Sequence, residues 1–460
     1  MRYIYNTYKL ITNMLIKTVD KSRKSCINIL ILIFIFFSNT LYSQKYVLYI
    51  NSPLDSGAVV KVLAYDYFKS DTAGIFKLNN KGCGTFIHNY QGFSLIYIGH
   101  NKQFPLILQG ASNTLKINPQ NGMPEFVNDK ENDFLYRHLI QRDQIYRKEM
   151  AVNESFKFFN EDDPFYPELV AEKTRLELLE QSYNKNLYDS SGLFSATLLL
   201  ARELMETSYG IRTQAELNNR KAAFLEFIKA NLKTLRHSDM LQQLARQYVM
   251  MNEYISGNQY NDYDQIIKDI DDWIKYFGKH IGNKETVEFF MNFYAGRSMF
   301  SMAGKIANRY PEVIICKVKL KKIKTKGQTF SELDVKLSKG SDNSVKLKNI
   351  PSTHKILYFY KDDCIASLVQ NVMLYRYISS KTYNIPAITV FQEGAASKNI
   401  ELLGKISPGV FHYTENNAAF KLAHIKKTPY YILLDGENKK EKKFDNFEKL
   451  KIYIEKNLGK

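Results

Sequence analysis

The stretch Ile356-Leu357-Tyr358-Phe359-Tyr360-Lys361-Asp362-Asp363-Cys364-Ile365-Ala366-Ser367 decides the reading of the C-terminal third of the chain. Its first five residues are apolar without alternation, the pattern of a strand buried on both faces. Lys361-Asp362-Asp363 is a short polar turn, and Cys364 opens a helix that runs to about Ser379. The position of the cysteine carries chemical weight. Unpaired amides and the dipole at a helix N-terminus stabilise a thiolate, so a cysteine there can act as a nucleophile. Asp362 and Asp363 oppose that effect, since a neighbouring negative charge raises a thiol's pKa.

Further strands and helices alternate around this unit. Val313–Leu320 and Asp334–Leu337 read as strands before it. After it come the strand Ala387–Phe391, a helix near Glu415–Ala423, the strand Tyr430–Leu434 and a last helix Phe447–Leu458. Alternation of this kind implies a partly parallel α/β sheet. The strand Tyr430–Leu434 lies within Lys427-Thr428-Pro429-Tyr430-Tyr431-Ile432-Leu433-Leu434-Asp435-Gly436, a Thr-Pro pair followed by an apolar run and an Asp-Gly turn.

The ordered series of strand, cysteine turn, helix, Thr-Pro, strand and Asp-Gly resembles the thioredoxin fold of envelope thiol–disulfide interchange proteins of the TlpA/ResA type. The pair Val335-Lys336-Leu337-Ser338 and Val345-Lys346-Leu347 is similar to that family's β-hairpin ahead of the core. The resemblance covers about residues 325–460. It implies that the Thr428–Pro429 bond is cis and packs beside Cys364. It further implies that the Thr428 backbone stays unpaired at a sheet edge, with Thr428 and Pro429 holding an extended client strand. One departure matters: the family's Cys-x-x-Cys is Cys364-x-x-Ser367 here. A mixed disulfide is released by a second thiolate, which Ser367 cannot supply. Cys83 and Cys316 are distant in sequence, and a rescue by either requires a spatial contact. Cys364, Ser367 and Pro429 are accordingly the candidate catalytic residues. Two functions follow: a single-cysteine disulfide isomerase, or a redox-inactive interaction scaffold.

Ahead of this region the pattern changes twice. Residues 44–128 carry short apolar or alternating runs (Lys45–Ile50, Val59–Tyr65, Phe93–Ile98, Phe104–Leu108) broken by turn pairs such as Lys81-Gly82 and Asn121-Gly122. They read as an antiparallel β domain. The points Asp71-x-x-Gly74-x-Phe76 and Phe126–Asn132 resemble the front half that precedes thioredoxin domains in Gram-negative envelope proteins. Residues 129–311 shift to helical spacing, as in Leu176/Leu179/Tyr183 and Ile266/Ile270/Trp273/Phe277, and read as about six or seven helices without a fixed repeat. The fold class is thus multidomain α+β: a β domain, a helical middle and a thioredoxin-like α/β domain at 312–460.

Residues 1–43 are an address. Lys21, Arg23 and Lys24 precede the apolar run Ile27–Phe37, and the segment ends at Leu41-Tyr42-Ser43-Gln44 with the small residue Ser43. This is a secretory signal pattern, too short for the about 20 apolar residues that span a bilayer. It predicts cleavage near Gln44 and a periplasmic or envelope location, with Met1 or Met14 as the start. Cys26 precedes the apolar run and is no lipid-bearing cysteine.

Composition sets outer limits. The chain has 460 residues, 45% apolar and 24% charged, which excludes disorder and collagen for its bulk. Four cysteines cannot build a disulfide scaffold. The net charge of +17 sits at the ends: six basic and one acidic residue in 1–43, 27 basic and 15 acidic in 311–460. It describes no single nucleic-acid surface. The basic runs Lys317–Lys326 and Lys439–Lys443 read as solvated faces, with contact to an anionic envelope surface as the other reading. The eight histidines show no metal-ligand spacing, and no P-loop or Gly-x-Gly-x-x-Gly appears. No cofactor or metal is expected, and the expected partner is a client protein in the envelope.

Overall fold

In the computed structural model the described residues are 45–109, 112–255, 263–318, 329–337, 344–380, 385–394, 397–406 and 411–458. The expected signal sequence, residues 1–43, and most of the Lys317–Lys326 run lie outside them. The chain forms two compact units. One runs up to Ala64 and includes Asp71–Arg137; the other comprises Tyr65–Ser70 and His138 onward.

The first unit is built from β1 (Tyr46–Asn51), β2 (Val59–Asp66), β3 (Lys69–Lys77), β4 (Cys83–His88), β5 (Gly92–Ile98), β6 (Lys102–Leu108), β7 (Asn113–Ile117) and β8 (Pro124–Phe126). They form two four-stranded sheets, ordered β4-β1-β7-β8 and β3-β2-β5-β6. Alternate residues of both sheets, among them Leu48, Ile50, Val60, Val62, Ile96, Leu106 and Leu115, close one shared core. The expected antiparallel sheet needs one correction, because β1 and β7 run parallel. A two-residue turn cannot join parallel strands. Here the intervening chain builds the other sheet before returning.

The second unit begins with helices α1 (Lys130–Ser155), α2 (Tyr166–Asp189), α3 (Phe194–Glu206), α4 (Gln214–Leu235), α5 (Met240–Ile255), α6 (Tyr263–Ile281), α7 (Asn283–Gly296) and α8 (Phe300–Arg309). Eight helices among the described residues exceed the six or seven that the spacing predicts. The break between α4 and α5 contains neither Gly nor Pro. There the Arg236 carbonyl accepts a hydrogen bond from the Tyr67 amide at 2.7 Å. The Arg236 guanidinium pairs with Asp66 and lies over the Tyr67 ring. A break held by such a distant contact leaves no local signal. By contrast, Gly282 separates α6 from α7 at φ 97°, a backbone region that favours glycine. The helical core centres on Trp273, which is fully buried against Tyr248, Phe277 and Phe290.

The rest of the unit is α/β. Its elements are β9 (Cys316–Lys317), β10 (Asp334–Lys336), β11 (Ser344–Lys346), β12 (His354–Phe359), α9 (Ile365–Ser379), β13 (Ala387–Phe391), α10 (Ser397–Ile406), β14 (His412–Glu415), α11 (Asn417–Leu422), β15 (Lys427–Thr428), β16 (Tyr430–Asp435), β17 (Lys440–Phe444) and α12 (Phe447–Asn457). Seven strands make one mixed sheet in the order β11-β10-β14-β13-β12-β16-β17. Strand β12 runs parallel to β13 and antiparallel to β16. Both faces of β12 are covered, as its unbroken apolar run requires. Ile356, Tyr358 and Tyr360 pack with Val372 and Tyr375 of α9 on one face. Leu357 and Phe359 pack with Ala419 and Phe420 of α11 on the other. The basic run Lys439–Lys443 contributes the edge strand β17, where lysines discourage pairing with another chain.

Candidate functional site

The mouth of β12 positions the cysteine. The sheet strand ends at Phe359, the polar turn follows, and Cys364 is the N-cap residue of α9. Its carbonyl accepts from the Leu368 amide at 3.2 Å and its amide donates to the Lys361 carbonyl at 3.2 Å. Asp363 does not act on the sulfur as a free charge, since Lys361 Nζ sits 2.6 Å from its carboxylate. The hydrogen bond from Lys361 holds that carboxyl below its ordinary pKa. The helix itself is locked from beneath. Tyr358 donates its hydroxyl to the Ser367 carbonyl at 2.6 Å. Gln370 Oε1 accepts from the Tyr431 hydroxyl at 3.0 Å and from the Phe447 amide at 3.2 Å, tying α9 to β16 and α12.

Cys364 is not a lone cysteine. It is disulfide-bonded to Cys316, with S–S 2.09 Å and Cα–Cα 6.1 Å, within the ordinary Cα spacing for a disulfide. The second sulfur that Cys-x-x-Ser lacks is thus supplied 48 residues upstream, from a strand outside the main sheet. Ser367 is fully buried one turn into α9, and its hydroxyl has no hydrogen-bond partner among the described residues.

The Thr428–Pro429 bond is cis. Thr428 and Pro429 are both buried. The expectation of an unpaired Thr428 edge is corrected: β15 pairs antiparallel with β9, Thr428 opposite Cys316 and Lys427 opposite Lys317. The Val318 amide extends the ladder by donating to the Lys426 carbonyl at 3.0 Å. The disulfide explains this pairing. Once Cys316 is bonded to Cys364, its backbone is held alongside Thr428, where the open amide and carbonyl groups of the two segments satisfy one another. A cavity of about 210 Å³ remains between this segment and the wall formed by Gln370, Pro429, Asn446 and Lys449. The sequence showed an apolar strand around Cys316 but nothing that placed it against Cys364. Cys83, half-buried on β4, is a free thiol in the other unit.

No protein-family model and no curated protein sequence matches the chain. Several solved structures similar to parts of it are described as thioredoxin or thioredoxin-like proteins. A thiol:disulfide interchange protein from Bacteroides sp. is 17% identical, with 29% of this chain and 91% of that one covered and a TM-score of 0.24. The thioredoxin domain of a thiol-disulfide oxidoreductase from Bacteroides vulgatus is 21% identical, covering 28% and 96%, with a TM-score of 0.22. A thioredoxin-like protein from Bacteroides caccae is 13% identical, covering 57% and 93%, with a TM-score of 0.23. These are likenesses of fold, and the chemistry of the site stands on its own geometry.

Proposed function

We propose that the chain is an exported thiol–disulfide exchange protein of the TlpA/ResA kind that works through the Cys364/Cys316 couple. The observation that carries this reading is the disulfide between a cysteine at a helix N-terminus and a strand docked on Lys427–Thr428. When reduced, Cys364 is the attacking group, because the α9 amides and dipole favour its thiolate. Cys316 is the resolving thiol, so turnover does not depend on Ser367, and a single-cysteine isomerase is no longer required. Pro429 and Thr428 form the edge on which a client strand lies. A client protein in the envelope is the partner, and the lysine-rich edge β17 is a surface for anionic envelope material.

Mixing the reduced protein with the disulfide of glutathione and 5-thio-2-nitrobenzoate tests this. The Cys364 thiolate attacks the glutathione sulfur and releases thionitrobenzoate; Cys316 then attacks Cys364, forming the intramolecular disulfide and releasing reduced glutathione. The wild type is expected to end oxidised with glutathione free. In a Cys83→Ser background, which removes the free thiol of the other unit, Cys316→Ser should stop with glutathione bound to Cys364, and Cys364→Ser should lose the rapid phase of release. An equal rate of release by Cys364→Ser and its parent contradicts the assignment.

A second reading has its own support. Cys364 is 2% and Cys316 6% exposed, which suits an inert structural bond in an interaction scaffold. In that case the bond resists glutathione buffers and only the fold is retained. Export is proposed from residues 1–43, and persistent disulfides belong to oxidising compartments. N-terminal sequencing is expected to begin within a few residues of Gln44; an intact Met1 or Met14 start in a cytoplasmic fraction contradicts it.

A further inference from the structure

Strand β9 occupies its place at an electrostatic disadvantage. Directly opposed residues of an antiparallel pair project to the same face with Cβ atoms about 4.5–5.5 Å apart, and like charges there are destabilising. In this ladder the inner pair is Cys316 with Thr428, both buried, and the outer pair is Lys317 with Lys427, both exposed. Lys426, next along β15's approach, is also exposed. The neighbouring Asp445 carboxylate is bonded to Lys449 at 2.9 Å and also feels the Lys427 charge, so it offsets part of the repulsion between the two lysines. Two further positions of the docked segment are apolar and turned inward: Ile314 is buried and Val318 packs on the core beneath the sheet, while Ile315 is half-buried beside the cavity. The cavity of about 210 Å³ beside Pro429 is lined on the segment's side by Ile314 and Ile315.

We infer that the Lys426–Thr428 edge is a docking surface for an extended client segment of the pattern apolar-x-Cys-acidic-apolar, and that Ile314–Val318 is a built-in occupant that such a client displaces. The inference rests on the thiol-exchange reading above and adds the identity of the partner. The cysteine of the client takes the position of Cys316, two residues after an apolar side chain in the place of Ile314. Its next residue faces Lys427, where a carboxylate gains an attraction in place of the Lys317 repulsion. The residue after that covers the apolar patch now under Val318. In the oxidised state both sulfurs are covered, so the disulfide form is self-docked and closed to clients. Reduction frees Cys316 and leaves its strand held by backbone hydrogen bonds and the Ile314 and Val318 contacts.

The test uses the full-length Cys316→Ser protein and two peptides, Ile-Ile-Cys-Glu-Val and Ile-Ile-Cys-Lys-Val, each as its thionitrobenzoate disulfide. The Cys364 thiolate attacks the peptide sulfur, a Cys364–peptide disulfide forms, and thionitrobenzoate leaves as the thiolate, with no net oxidation. Peptide mapping locates the adduct on Cys364. At low ionic strength the glutamate peptide is expected to react about fivefold faster, the scale of one exposed cross-strand charge pair. The gap should close in high salt and reverse in Lys427→Glu. In the otherwise unaltered chain, Lys317→Glu should slow reduction of the Cys316–Cys364 bond by dithiothreitol about threefold to fivefold. Equal peptide rates, or Lys317→Glu reduced as fast as wild type, overturn the docking inference while thiol exchange stands. Absence of any Cys364 adduct overturns both.

Discussion

Reduction of the Cys316–Cys364 bond, or Cys316→Ser, is expected to lower the unfolding free energy of the second unit by about 4 kcal/mol. The bond closes a loop with a sequence separation of 48. Loop-closure entropy for that length gives this magnitude through the unfolded chain alone. The folded chain adds its own loss, because β9 is then tied to β15 by a ladder of only two paired residues. The single tryptophan, Trp273, lies buried in the helical part of the same unit and reports its unfolding. With a urea dependence of about 2–3 kcal/mol/M, the midpoint should fall by about 1–2 M on reduction. An unchanged midpoint would mean that the bond constrains nothing the native state needs.

Asp269→Ala is expected to cost about 3–5 kcal/mol. Asp269 of α6 and Lys221 of α4 are both buried, and Lys221 Nζ lies 2.7 and 2.6 Å from the two carboxylate oxygens. Lys221 also donates to Asn252 Oδ1 at 2.7 Å, and the Asn252 amide donates to Asp269 at 2.5 Å. Burial pushes the Asp269 carboxyl up and the Lys221 ammonium down, and each partner pulls the other back toward its charged form. Removing the carboxylate therefore strands a buried ammonium 5.3 Å from the Tyr248 ring, with too little to compensate it. The paired replacement Lys221→Met with Asp269→Leu should recover most of the loss, because it removes both desolvation costs. Urea unfolding followed by Trp273 measures each variant. A loss below about 1 kcal/mol in Asp269→Ala would show that water reaches the pair.

What the sequence reveals follows where each element draws its stability. Strands β12, β13 and β16 are buried on both faces, so their composition alone marks them, and the expected strand Ala387–Phe391 has the same bounds as β13. The cis Thr428–Pro429 bond agrees with what the resemblance to the thioredoxin fold implies. The hairpin expected at Val335–Ser338 and Val345–Leu347 forms the β10–β11 edge, but other edge and contact-dependent features are not legible. Strand β17 lies in a lysine run that reads as a solvated face, because an edge strand carries charge on its exposed side. The α4–α5 break depends on Arg236 meeting Asp66 and Tyr67, residues far apart in the chain. The pairing of Cys316 with Cys364 is the largest such gap. Each cysteine was visible on its own element, but only the returning strand brings them together, and no local pattern records that return.

The central claim, that Cys316 and Cys364 form a working redox couple, is tested most directly by equilibrating the protein in buffers of graded thiol–disulfide potential and quantifying the Cys316–Cys364 disulfide by mass after alkylation. The account predicts a reversible two-thiol transition between about −120 and −270 mV, the span of thiol–disulfide exchange proteins. A bond that stays oxidised below about −300 mV, as structural disulfides do, would contradict it.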